Sequence, residues 1–184
     1  MKIKNLGWYI TMLILFSGII YLYIYQRNYS KDLKINGKKT IGYSKLRESN
    51  LLDYKQKQIA EWKYEIDNIS YTSKGKSTPF RLQNFEYYVI YYNPKNKEDI
   101  VIDYKDFVLN GNYKNTNSVS LKEDLFNSNR VVFEYSVGGK KYERTQSCEL
   151  KNGIDLEKIY LVKYKVGKPE IAYIYLDSIQ WVEI

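Results

Sequence analysis

The chain contains no histidine and a single cysteine, Cys148. Without histidine, the commonest general base, metal ligand and physiological pH switch are missing together. One cysteine cannot close an intrachain disulfide or build the usual Cys/His zinc site. With no imidazole to activate it, Cys148 reads as an inert thiol. Arginine is scarce as well, with 5 residues against 24 lysines. The net charge of +8 invites a nucleic-acid or anionic-lipid partner, but the residue suited to bidentate phosphate contacts is the one in short supply. Lys, Asn, Ile and Tyr make up 80 of the 184 residues. All four are encoded by A/T-rich codons, so coding bias accounts for both the basicity and the 21 tyrosines. A nucleic-acid partner is not expected.

Motifs with a mechanism are missing too. There is no G-x-S-x-G elbow and no Gly-rich phosphate loop. The acidic groupings are Glu98 and Asp99 with Asp103, and Glu123 with Asp124. Neither has the spacing of an EF-hand, and both read as solvated turn residues. No catalytic residue, cofactor-binding residue or metal ligand is assigned, no cofactor is implied, and enzymatic activity is not expected.

What is present begins with an apolar run. Residues 6–25, LGWYITMLILFSGIIYLYIY, carry no charge. As a helix rising about 1.5 Å per residue they span about 30 Å, the thickness of a bilayer's hydrocarbon core. Trp8 and Tyr9 at one end and Tyr21, Tyr23 and Tyr25 at the other suit the two membrane interfaces. A signal peptide would have a shorter apolar stretch and a small-residue cleavage site, whereas QRNYSKDLK follows here. The expectation is an uncleaved, single-pass transmembrane anchor over 1–28, with residues 6–25 contacting lipid. Lys2 and Lys4 precede the run, while Arg27, Lys31, Lys34, Lys38 and Lys39 follow it. The larger cluster favours the cytoplasm for the soluble part.

Beyond the anchor, the chain repeats itself. The hexapeptide D-L-K-I-N-G at 32–37 recurs as D-F-V-L-N-G at 106–111. Tyr64, Ile66, the pair Asp67-Asn68 and Tyr71 recur as Tyr135, Val137, Gly138-Gly139 and Tyr142. Tyr87, Val89 and Tyr91 match Tyr160, Val162 and Tyr164, and Pro94 matches Pro169. Ala60, Trp62, Tyr64 and Ile66 alternate with polar residues, the period of a strand with one buried face. Asp67-Asn68 and Gly138-Gly139 are expected as two-residue hairpin turns. Phe85 to Tyr92, Tyr160 to Lys165, Ile100 to Tyr104 and Ile171 to Leu176 read as further strands. Ser120 and Glu123 resemble a capping box ahead of Leu125 and Phe126, which predicts a short helix. The expected fold is an all-β, mainly antiparallel soluble part of two repeated small β units, 29–105 and 106–184, preceded by one transmembrane α-helix. A 70-residue β unit is marginal alone, so the halves are expected to pack as two small barrels or as one composite sandwich.

Tyr135, Val137, Gly139, Tyr142, Gly153, Tyr160, Val162, Tyr164 and Pro169 together resemble a widespread, uncharacterised bacterial family of membrane-anchored small β domains with the pattern Y-x-V-x-G-x-x-Y … Y-x-V-x-Y-x-P. In the first unit Asn68 replaces the glycine. The resemblance implies a topology and an anchor, in a bacterial cytoplasmic (inner) membrane, but no activity. The function expected is a membrane-tethered, non-enzymatic binding or assembly module with a protein partner. The alternative is a small membrane-associated immunity or protective protein.

Overall fold

The computed structural model describes residues 6–47, 58–125, 127–148 and 154–179. It opens with α1, Leu6–Asn36, a helix of 31 residues. Residues 7–36 are long and apolar enough to cross a membrane, and the apolar part is exposed to its surroundings. The helix does not stop where the charges begin. Residues 32–36, expected to open the first β unit in parallel with 106–110, are its last turn, whereas 106–108 lie in a strand. Tertiary contacts extend it. Leu33 is buried, the Tyr29 hydroxyl donates to Asp99, and Lys34 pairs with Asp103 at 3.0 Å. The helix ends at Gly37, whose N–H donates to the Leu33 carbonyl at 2.9 Å, where any side chain would collide with that carbonyl.

Eleven strands follow among the described residues: β1 Lys38–Leu46, β2 Ile59–Ile66, β3 Ile69–Thr72, β4 Lys76–Ser77, β5 Tyr87–Asn93, β6 Asn96–Val108, β7 Tyr113–Glu123, β8 Arg130–Val137, β9 Lys140–Ser147, β10 Tyr160–Lys165 and β11 Lys168–Ile179. They form two antiparallel sheets. The first runs β3-β2-β1-β5-β6, with β4 beside β2, and the second runs β9-β8-β7-β10-β11. Apart from the short β4, the two sheets have one topology in chain order, a path of five strands with the first strand in the middle.

The turns are those the sequence predicts. Asp67 and Asn68 have φ of 52° and 63°, and Gly138 and Gly139 have 58° and 80°. Two consecutive positive φ values match the right-handed twist of the flanking strands. Alternation on β2 is as expected, with Ala60, Trp62, Tyr64 and Ile66 all buried. Val131, Phe133 and Tyr135 are their buried counterparts on β8. In both hairpins the paired tyrosines stack, Tyr64 on Tyr71 at 5.8 Å and Tyr135 on Tyr142 at 5.5 Å. Each inner tyrosine also donates across its own sheet, Tyr64 to the Lys97 carbonyl at 2.9 Å and Tyr135 to the Pro169 carbonyl. Thr40 donates to the Glu65 carbonyl, and Thr116 to that of Ser136.

Further expectations need correction. Val89 does not match Val162. Val162 is fully buried, while Val89 is half-buried on the opposite face from Tyr88, Ile90 and Tyr92. The true counterparts of Tyr160, Val162 and Tyr164 are Tyr88, Ile90 and Tyr92, one residue along, because only that register keeps the inward face inward. The hairpins fix the same offset: Asn93 pairs with Asn96, and Lys165 with Lys168, so Pro94 corresponds to Val166 and not to Pro169. The helix expected from Ser120 is also absent. Ser120 and Glu123 lie on β7, which is paired with both β8 and β10, and that pairing overrides a local cap signal. Phe126, and Gly153 of the family pattern, lie outside the described residues.

Candidate functional site

Each sheet curls around its own apolar core, and the second sheet's edge strand joins the two cores. On β11, Ala172 and Ile174 face the second core, while Ile171 and Tyr173 complete the first. In each unit a glutamine amide imitates a strand partner. Gln146 exchanges two hydrogen bonds with the Ile174 backbone across from β9 to β11, at 3.0 and 2.9 Å. Gln58 does the same with the Leu82 backbone, at 3.0 and 2.7 Å.

Where the units meet lies the most polar buried cluster among the described residues. Arg144 of β9 donates to both oxygens of Glu86, at 2.8 and 2.9 Å, with side-chain exposures of 5% and 0%. Glu86 Oε1 also accepts from the Gln83 N–H at 2.6 Å, and Oε2 from the Tyr88 hydroxyl at 3.1 Å. Burial works most strongly against the Arg144 charge, but the Glu86 carboxylate together with Tyr88 and Tyr173 outweighs it, so the guanidinium's pKa is raised. Burial, reinforced by the same carboxylate, pushes the Tyr88 and Tyr173 hydroxyls well above the ordinary phenol value. Aromatic rings enclose the cluster, with Phe107 stacked on Tyr173 at 4.2 Å and Trp62 edge-on to Tyr88. A carboxylate engaged at both oxygens and sealed from water is built to clamp two units together rather than to pass protons.

The sequence signal for Arg144 was its parity. It shares a strand face with Tyr142 and Gln146, opposite Phe133, where a charge needs a buried partner. Its partner Glu86 is 58 residues away, and no local pattern announces it.

The acidic groupings have structural partners. Asp99 and Asp103 sit half-buried on β6 and receive Tyr29 and Lys34 of the helix, so they are docking residues and not solvated turns. Asp124 pairs with Arg130 at 3.5 Å. Among the described residues no three His, Cys, Asp or Glu side chains converge as a metal site would need. Cys148 is buried, which pushes its thiol up to about 11 and keeps it protonated at neutral pH.

A second feature is the outward face of the first sheet. Ile41 is 52% exposed and Phe85 46% exposed, with Tyr43, Tyr87 and Val89 beside them. Phe85 stacks on Tyr43 at 5.6 Å, and Tyr43 lies 5.3 Å from Tyr87. Lys168 and Lys165 reach from the second unit over Phe85 and Tyr87. Phe85 has φ of 67°, a left-handed backbone that costs a bulky L-residue about 1–2 kcal/mol. Next to this cluster, an open concavity of about 360 Å³ is lined by Ile41, Tyr43, Lys63, Ser70, Thr72 and Tyr87 among others.

No protein-family model matches the chain, and neither curated proteins nor solved structures provide a match.

Proposed function

We propose that the chain is a membrane-tethered, non-enzymatic binding or assembly module whose partner is a protein. It sits by one pass in a bacterial cytoplasmic membrane with its β part in the cytoplasm. The observation that carries the binding role is the aromatic cluster of Tyr43, Phe85 and Tyr87 around exposed Ile41. An apolar centre with rigid aromatic rings and a lysine rim has the composition of a protein-binding patch. Backbone strain at an exposed phenylalanine supports the same reading, since strain held at a surface ring calls for a use of that ring.

The test is a photo-crosslinking residue placed at Ile41 or at Lys141, an exposed position on β9, in living cells. A discrete adduct at Ile41, absent at Lys141, is the expected result. Phe85→Gly relieves the positive φ and should leave thermal stability unchanged or higher while abolishing that adduct. An adduct that survives Phe85→Gly undiminished, or crosslinking equal at the two sites, would refute the assignment of this face. Protease added outside spheroplasts should spare the β part, and its digestion would reverse the orientation.

A further inference from the structure

If the anchor spans a bilayer, as the reading above requires, the docked helix fixes the height of whatever it touches. Tyr25 closes the apolar stretch, and Tyr29 lies one turn further on, about 6 Å along the axis. The Tyr29 hydroxyl donates to Asp99 and lies 3.5 Å from the Asn93 amide. Asn93 and Asn96 close the β5–β6 hairpin, whose tip is Pro94 and Lys95. Further up the helix Lys34 holds Asp103, so β6 climbs away from the bilayer and the hairpin tip points back towards it. Lys97 on the same hairpin pairs with Asp67 at 3.1 Å and draws the turn at Asp67 and Asn68 to the same end.

We propose that this end of the first unit rests in the headgroup layer of the membrane and contacts anionic phospholipid, with Lys95 as its leading cation and Arg27 and Lys31 of the helix beside it. The acids nearby are Asp67, engaged by Lys97, Asp99, engaged by Tyr29, Asp32, engaged by Asn36, and the exposed Glu98. The counterpart hairpin of the second unit, with Val166 and Gly167 at its tip, faces elsewhere. Its flanking Lys165 and Lys168 lie over Tyr87 and Phe85, at the far end of β5. That end is five strand residues, about 16 Å, beyond Tyr92. Two hairpins of equal topology thus have opposite surroundings, which makes one the control for the other.

The experiment uses full-length Cys148→Ser protein in nanodiscs, with a nitroxide attached at Pro94→Cys, Val166→Cys or Ile19→Cys in turn, so that Lys95 keeps its charge. Relaxation is read against a nickel-chelating lipid, in phosphatidylcholine and in a phosphatidylcholine/phosphatidylglycerol mixture. The label at 94 should relax severalfold faster than the label at 166, and the gap should widen with phosphatidylglycerol. Equal relaxation at 94 and 166 overturns the inference, and a gap indifferent to phosphatidylglycerol overturns its electrostatic part. The label at 19 reports on the anchor separately. If its oxygen accessibility is that of the bilayer core, the spanning reading stands whatever happens at 94. If it is aqueous, both fall.

Discussion

The two β units share a plan and differ in what their edge strands are used for. In the first, β6 offers Asp99 and Asp103 to the helix, and the unit becomes an extension of that helix. In the second, β11 lends Ile171 and Tyr173 to the first unit's core and buries both of its faces. The interior is the conserved part of the comparison. The stacked tyrosine pair, the hydroxyl bond across the sheet and the threonine-to-carbonyl bond all recur. The joint, by contrast, is made of residues without internal counterparts. The residue 71 before Arg144 is Ser73, and the residue 72 after Glu86 is Lys158, which is exposed. A duplicated β unit keeps what makes one sheet stable, and its edges and loops are where the copies specialise.

The largest expected effect tests the register of the match. Ile90→Asp and Val162→Asp each place a charge in a fully buried position, and should prevent folding. Val89→Asp, on the half-buried outward face, should cost far less and leave a folded protein by circular dichroism. Equal damage from Val89→Asp and Ile90→Asp would break the correspondence between β5 and β10.

Next comes the joint. Glu86→Ala or Arg144→Ala leaves a buried charge without its partner and should cost about 3–5 kcal/mol in denaturant unfolding. The double variant Glu86→Leu with Arg144→Met should recover most of that loss. A double variant as weak as the sum of the two singles would mean that the pair is not coupled.

Alkaline pH loads both units in the same direction. Burial raises the Tyr64 and Tyr113 hydroxyls to about 12 from 10.0. Between those values the native state keeps protons that the unfolded state releases, so stability falls as pH rises through that window. Tyrosinate absorbance should therefore appear together with unfolding, and free titration of these rings in a folded protein would contradict their burial.

The smallest effect is the most symmetrical. Tyr64→Phe and Tyr135→Phe each delete one hydrogen bond across a sheet and should each cost about 1 kcal/mol. Losses that differ severalfold would show that the shared bond does not do the same work in the two units.

Much of this was legible from residues alone, and the failures have physical causes. The apolar helix and both hairpins follow from local rules: an uncharged run long enough to span a bilayer, and turn residues that tolerate positive φ. The β5 register was misread because YYVIYY is apolar on both faces, so alternation there carries no contrast and a shared valine misled the match. The helical extension to Asn36 was invisible because residues 26–36 are polar, and only Leu33 and the Tyr29 and Lys34 contacts hold them in place. The Glu86–Arg144 clamp is a long-range pairing. Half of its signal, a charge at an inward strand position, was present at Arg144, but its partner could not be named.

Joined by β11 and the buried ion pair, the two units are expected to unfold as one cooperative body. Hydrogen exchange on the full-length protein carrying Val162→Ala tests it most directly, because the substitution opens a cavity only in the second core. If the account holds, amides of β2 in the first unit will lose protection by the same free energy as those of β8. If β2 keeps wild-type protection while β8 loses its own, the units are independent domains and the claim is wrong.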